Sequence, residues 1–474
     1  MEGFIGRKNE IEILDKLSKS PKPEFVVVSG RRRVGKTYLI KKYYNNDFAF
    51  YMTGTANVST AEQLANFRTL YNMYTEKQLD NTPKTWFEAF NALRTLLEKS
   101  KNKIKVVFLD ELPWMDTPRS NFIQALEFFW NSFGSTHKGL KLITCGSAAS
   151  WLLNKLINDK GGLHNRVTRR ISLLPFTLKE TEAFLYAKQV KLERQQILQI
   201  YSVMGGIPFY LDAIEKGMSS AQIINMMCFD HHGLLRNEYN ILYKSLFARP
   251  ENYMDVVNAL STKAQGLTRD EIVALSKIAN GGTLTKVLNE LEVSGFIQKY
   301  HPFLNRTKNS LYRLTDPYSL FYHKFIKDSK TDGKNTWVNM LNTPVYNTWR
   351  GYAFEYVCMS HINQIKHALG ISGVYSENAS WRSNDKEFKA QIDLLIDRKD
   401  GIITVCEMKF SDGQFEITKD YATKLRNKLY IFKNVTKTRK TILPAMISTF
   451  GVKQNQYSLD LVQNDIKMDS LFEF

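Results

Sequence analysis

The stretch from Phe25 to Ile40, FVVVSGRRRVGKTYLI, constrains this chain more than any other. Val26, Val27 and Val28 form a β-branched apolar run that reads as a buried strand. Gly30 to Thr37 spells G-x-x-x-x-G-K-T, and Tyr38, Leu39 and Ile40 open a helical pattern. Strand, glycine loop and helix in that order are the setting in which such a loop cradles phosphate. Gly30 and Gly35 permit the tight backbone turn that aims successive N–H groups inward as an anion nest. The helix N-terminus adds its positive dipole end. Between the glycines lie Arg31, Arg32, Arg33 and Val34; the arginines read as solvated groups that also aid phosphate binding. Lys36 would reach the β- and γ-phosphates of a nucleotide, and the Thr37 hydroxyl would ligate Mg²⁺.

A second signal lies downstream, at Lys105 to Glu111, KVVFLDE. Four apolar residues ending in two acids suit a parallel strand buried on both faces, with Asp110 and Glu111 at its carboxyl end. Asp110 would hold Mg²⁺, directly or through water, and Glu111 would polarise an attacking water. ATP and Mg²⁺ are therefore the expected cofactors. A third strand, Leu140 to Cys145, ends at Gly146-Ser147. Ser147 reads either as a γ-phosphate sensor or as a strand-end turn residue. Arg166, Arg169 and Arg170 cluster in HNRVTRR. They read either as an arginine finger offered to a neighbouring subunit of a homo-oligomer or as a basic strand edge.

The 474 residues suggest about three domains at about 150 residues each. The sequence has no run of 18 apolar residues, so no membrane span is expected. The start, MEGFIGRKNE, is polar and mixed in charge, unlike a secretory signal. Cys145, Cys228, Cys358 and Cys406 share no C-x-x-C spacing, which points to a reducing, cytoplasmic setting. The net charge of +18 fits a nucleic-acid partner where a reading module is also present.

FIGR at Phe4 to Arg7, GRRRVGKT, VVFLDELPWM, ITCGSAAS, the LLPF of Leu173 to Phe176 and GGIPFYL from Gly205 together resemble the archaeal-type branch of the AAA+/STAND P-loop ATPases. The resemblance implies a doubly wound ATPase core followed by a helical lid. It implies that the box containing Gly6 and Arg7 lies near the adenine, that Ser147 occupies the sensor position, and that Gly206, Ile207 and Pro208 belong to a lid that closes on nucleotide.

Beyond the lid, Thr268 and Glu271 form a capping box, Gly281-Gly282 makes a turn, and Leu284, Val287, Leu288 and Leu291 form a core-facing stripe. Two short strands, Phe296 to Tyr300 and Leu311 to Leu314, flank a basic loop with Arg306 and Lys308. This pattern predicts a winged helix-turn-helix. Thr285, Lys286 and Asn289 would face a DNA groove, although Glu290 and Glu292 are placed on the same exposed face. A module that contacts protein instead is the alternative. The segment LYRLTDPYSLFY resembles the family's usual exit from this module.

Residues 328–345 are polar and read as a linker. A helix around Trp349 to Ile365 carries Glu355, and Gln391 to Ile396 and Ile402 to Lys409 read as a hairpin turning at Lys399-Asp400-Gly401. That register puts Asp393 opposite Glu407, with Lys409 on the same face. Two carboxylates and a lysine so placed suit a divalent cation and phosphodiester hydrolysis. D…E-x-K with an upstream glutamate resembles the restriction-endonuclease-like PD-(D/E)xK fold, although Gln391-Ile392 replaces its proline. The resemblance implies Asp393, Glu407 and Glu355 as ligands of a second Mg²⁺ or Mn²⁺, with Glu407, Lys409 and Asp393 catalytic.

The expected fold class is α/β. It comprises a P-loop NTPase core over residues 1–174, a helical lid over 175–240, a winged helix over 241–327, and a restriction-endonuclease-like domain over 346–474. The expected function is an ATP-hydrolysing switch controlling a metal-dependent DNA nuclease. The alternative is a scaffolding NTPase that binds DNA or protein and carries an inactive nuclease fold.

Overall fold

The computed structural model describes residues 4–76, 78–147, 151, 155–156, 165–303, 310–329, 335–383 and 390–473. The chain divides into two compact units, Met1–Pro175 and Phe176–Phe474. Expected wing residues Arg306 and Lys308, and the end of ITCGSAAS, lie outside the described residues.

In the first unit, β1 (Glu24–Gly30), β2 (Phe50–Thr53), β3 (Lys105–Asp110), β4 (Leu140–Gly146) and β5 (Arg169–Leu173) form one sheet in the order β2-β3-β4-β1-β5. All its pairings are parallel. Every residue of β3 and β4 is buried, which is why these strands read as unbroken apolar runs rather than alternating ones. The accompanying helices are α1 (Lys8–Lys19), α2 (Lys36–Tyr43), α3 (Thr60–Met73), α4 (Trp86–Lys99) and α5 (Phe122–Phe129). Ser59 and Glu62 close a capping box at α3, and Thr85 caps α4. An apolar core rich in aromatics, including Phe67, Trp86, Phe90, Phe122 and Phe129, packs α3, α4 and α5 onto β1 to β4. The sheet order separates β1 from β3 by β4, yet brings their carboxyl ends, and that of β4, to one edge.

The second unit opens with α6 (Leu178–Ala187), α7 (Arg194–Met204), α8 (Pro208–Asp212), α9 (Ser220–Cys228) and α10 (Glu238–Leu246). Between α7 and α8, Gly205 and Gly206 take φ of 64° and 68°. A Cβ on Gly206 would lie 2.1 Å from the Phe176 carbonyl oxygen, so glycine is required there. Next come α11 (Pro250–Ser261), β6 (Leu267–Thr268), α12 (Arg269–Leu275), α13 (Gly282–Val293), β7 (Ile297–Tyr300) and β8 (Leu311–Leu314). The strands form an antiparallel sheet in the order β6-β8-β7. Thr268 and Glu271 close the expected capping box. Leu284, Val287, Leu288 and Leu291 are all buried.

After α14 (Pro317–Phe321), the described residues 335–345 of the segment expected as a linker include a docked tryptophan. Trp337 is 2 % exposed, its N–H donates to Asn225 Oδ1 at 2.9 Å, and its ring stacks on Phe229. One buried tryptophan outweighs the polar composition around it.

The C-terminal part contains α15 (Pro344–Ser360), α16 (Ile362–Ala368), β9 (Ser376–Arg382), β10 (Gln391–Arg398), β11 (Ile402–Lys409), α17 (Lys419–Thr436), β12 (Thr441–Ser448), α18 (Gln456–Leu461) and β13 (Asn464–Lys467). Its mixed sheet runs β13-β12-β11-β10-β9. The hairpin β10–β11 pairs antiparallel with Leu394 against Cys406 and Asp397 against Ile403, the expected register. Strands β11 to β13 are parallel.

Candidate functional site

The loop after β1 is shaped by two backbone demands. Gly30 has φ 153°, and a Cβ there would meet the Leu173 carbonyl oxygen at 2.3 Å. Gly35 has φ 91° with open space around it, so its conformation alone calls for glycine. Val34 is buried, and its carbonyl accepts from Arg7 Nη2 at 3.0 Å. Arg7 Nη1 donates to the Leu174 carbonyl at 2.6 Å. Arg7, in the left-handed region beside Gly6, therefore ties the loop to the end of β5. Arg31 departs from expectation: it is 6 % exposed rather than solvated, because the loop curls its side chain inward. Arg32 and Arg33 are half-buried, while Tyr38 is exposed and meets Phe4 edge to face.

Lys36 is 5 % exposed, and its Nζ donates to the carbonyls of Gly30 and Arg31, each at 3.1 Å. Burial lowers its pKa, and the nearby groups of Cys145, Glu111 and Asp110 pull it back up. Thr37 Oγ1 donates to Asp110 Oδ2 at 2.8 Å. Asp110 is buried and also accepts the Glu111 N–H at 2.9 Å and the Cys145 thiol. Glu111 leaves the strand with φ 47° and ψ 47°, a left-handed conformation costly for a non-glycine residue. Ser147 holds it there: its N–H and Oγ donate to Glu111 Oε2 at 3.2 and 3.0 Å. Sequence reasoning missed the Cys145 contact, which depends on the pairing of β3 with β4, and the Arg7 contacts, which depend on the start of the chain meeting the loop and the end of β5.

These groups fit a nucleoside triphosphate with Mg²⁺. A buried ammonium has only carbonyl dipoles as hydrogen-bond partners, the loop is open at Gly35, where a Cβ would meet nothing within 4 Å, and hydroxyl and carboxylate oxygens stand side by side. Arg166, Arg169 and Arg170 are exposed, the last two on edge strand β5. Pro208 lies in the second unit, at the first turn of α8.

In the second unit, Thr285, Lys286 and Asn289 are exposed on α13. Glu290 and Glu292 flank that face, Glu290 one turn from Lys286 and Glu292 two turns from Thr285. They are half-buried, accepting from the Tyr253 hydroxyl and the Lys299 N–H. At the C-terminal sheet, Glu407 Oε1 accepts from Tyr421 Oη at 2.9 Å and lies 3.2 Å from Lys409 Nζ, while Oε2 accepts from Lys428 Nζ at 2.7 Å. Asp393 Oδ1 accepts from Gln391 Nε2 at 2.7 Å. Burial, and then the Asp393 charge, push the Glu355 carboxyl up to about 7. Among the described residues, no three His, Cys, Asp or Glu side chains gather into a cation site. The expected trio of Glu355, Asp393 and Glu407 is thus not assembled as a metal cage, because lysines and a tyrosine engage the Glu407 oxygens.

The parallel sheet, glycine loop, buried lysine and acid pair define a P-loop NTPase core. Residues 4–214 match the family described as an ATPase domain predominantly from Archaea, and the chain carries a domain of this type. An uncharacterized protein of Methanocaldococcus jannaschii, MJECL04, is 23% identical over 414 residues, spanning 86% of this chain and 88% of that one. An uncharacterized ATP-binding protein of the same organism, MJ0423, is 46% identical over 43 residues, 9% of this chain and 73% of that one. Among solved structures, the Walker-type ATPase PABY2304 of Pyrococcus abyssi superposes with a TM-score of 0.51 at 18% identity, covering 68% of this chain and 96% of that one. Among the described residues, no helix is long and apolar enough to cross a membrane.

Proposed function

We propose that this chain is an ATP-hydrolysing switch whose nucleotide state governs a nucleic-acid-binding second unit. The observation that carries it is the convergence of Lys36, Thr37, Asp110, Glu111 and Ser147 at the carboxyl ends of three parallel strands. Lys36 would exchange its two carbonyls for the β- and γ-phosphates. Thr37 and Asp110 would hold Mg²⁺, which supplies charge neutralisation at the phosphates when bound. Glu111 would orient the attacking water and take its proton, and Ser147 fixes where that carboxylate points. Exposed arginines at Arg166, Arg169 and Arg170 support a finger offered to a second copy. Purified chain should hydrolyse ATP, and Lys36→Ala and Glu111→Gln should each lower turnover at least about 100-fold. Equal turnover by all three would sink the proposal.

Two features support DNA as the ligand of the second unit. Helices α11 to α13 with the sheet β6-β8-β7 have the layout of a winged helix-turn-helix, and the acids of α13 are half-buried and each held by a hydrogen bond, Glu290 from the Tyr253 hydroxyl and Glu292 from the Lys299 N–H. Support for a restriction-endonuclease-like reading of the C-terminal sheet is that the charges of Asp393, Lys409 and Glu407 all act on the Glu355 carboxyl. A catalytic metal does not fit the carboxylates as they stand, so no hydrolytic step is assigned through one. A Glu407-dependent rise in melting temperature with Mn²⁺ would favour a nuclease; its absence would favour a scaffold that binds DNA without cutting it.

A further inference from the structure

A cleft of about 600 Å³ opens in the second unit between the β6-β8-β7 sheet and the C-terminal sheet. Its walls include Lys263, Tyr300, Arg313, Arg382, Gln391 and Asp393. Arg313, from β8, is 5 % exposed. Its guanidinium lies 4.3 Å from the centroid of the Tyr356 ring, and Nη1 donates to Met359 Sδ at 2.7 Å. Its Nε is buried with no hydrogen-bond partner. Among the described residues, no carboxylate lies within ion-pair distance of it, whereas Lys263 on the same wall is paired with Glu271 at 2.7 Å.

A guanidinium withdrawn from water, resting on a thioether and an aromatic face, carries a desolvation cost that an arriving anion would offset. Its planar fork matches a phosphate better than an ammonium would. Arg382, at the end of β9, stands exposed on the facing wall and adds a second cation. The volume suits one or two nucleotides and is far too small for a duplex.

The geometry points to this cleft as a binding site for a phosphate ester of a single nucleic-acid strand, held by Arg313 of β8 beside Asp393 of β10. This rests on reading the second unit as one that handles nucleic acid. It adds that the buried phosphate-binding group, Arg313, is supplied by the wing sheet, with the exposed Arg382 of the C-terminal sheet facing it. Asp393 lines the same cleft, and its charge offsets part of that of Arg313.

The test uses the full chain in EDTA, with fluorescently labelled trithymidylate as the probe and dTMP and inorganic phosphate as competitors. Three nucleotides are too few to span the α13 face, and a Lys286→Glu background confirms that this face is not being read. Arg313→Gln and Arg382→Glu should each weaken trithymidylate binding at least tenfold, with Arg313→Lys in between. Binding within twofold of wild type in both variants overturns the site. If Arg313→Gln loses cooperative melting, the exposed Arg382→Glu decides alone. Competition by dTMP as strong as that by trithymidylate overturns the strand and keeps the phosphate ester. Cleavage is scored separately with Mg²⁺ or Mn²⁺. Arg313-dependent binding without any cleavage upholds this cleft and defeats a nuclease. Cleavage with kcat and KM unchanged in Arg313→Gln does the reverse.

Discussion

Lys36 sits where a cation is least comfortable, buried and satisfied only by the carbonyls of Gly30 and Arg31. That discomfort is relieved when a polyanion enters, so the same residue should weaken the empty fold and create nucleotide affinity. Lys36→Met is expected to keep or raise the melting temperature without nucleotide, and to cost at least about 100-fold in ATP affinity by calorimetry, roughly 3 kcal/mol. A drop in apo stability together with retained affinity would contradict it. Glu111 differs in kind. Its carboxylate is aimed by two donors from Ser147, and glutamine keeps an oxygen for them. Glu111→Gln should therefore bind ATP within twofold of wild type while turnover falls by about 10²–10⁴, the usual worth of a positioned base. Single-turnover kinetics beside equilibrium binding separate the two effects.

At the level of elements, the end of β1 and the end of β5 approach so closely that only a hydrogen fits between them at Gly30. Gly30→Ala must push β5 away or break the turn, and should destabilise by about 3 kcal/mol or more, read as a shift in the denaturant midpoint. A second junction ties α6 to α15. The Leu178 N–H donates to His361 Nε2 at 3.1 Å, and His361 Nδ1 lies 2.8 Å from the Val357 carbonyl oxygen. The ring is therefore neutral with its proton on Nδ1. Burial pushes its pKa down to about 4 from the usual 6.5. The unfolded chain then binds more protons between those values, so stability is present above pH 6.5 and is lost as pH falls through 4. The loss is on the order of 3 kcal/mol, and His361→Gln, which keeps an acceptor but does not titrate, should not show it. Parallel acid melts of the two proteins check this.

The same elements show what could be read in advance. Strands β1, β3 and β4, the glycine loop and the hairpin register of β10–β11 follow from local periodicity and a three-residue turn, and sequence carries both. The partners of Glu407 did not, because Tyr421 and Lys428 come from α17 across a chain reversal. Arg31 read as solvated by polarity alone, and only the curl of the loop puts it inside. Arg313 gave no signal, since a lone arginine in LYRLT acquires meaning only from the cleft around it.

For the molecule as a whole, the +18 charge and the exposed Lys286 predict salt-sensitive DNA binding. Lys286→Ala should lower the slope of log affinity against log salt by about one, because one phosphate contact disappears. The proposed switch makes a stricter demand. If ATP in the first unit changes the affinity of the second for DNA by some factor, DNA must change the affinity for ATP by the same factor. Couplings of this kind are typically about 5–150-fold. The check measures DNA binding with and without a non-hydrolysable ATP analogue, then analogue binding with and without DNA, at one salt concentration. Equal factors above about fivefold are expected, both returning to one in Lys36→Met, where the nucleotide no longer binds. Two independent sites would give a factor of one in each direction, and the chain would then be an ATPase and a nucleic-acid binder without being a switch.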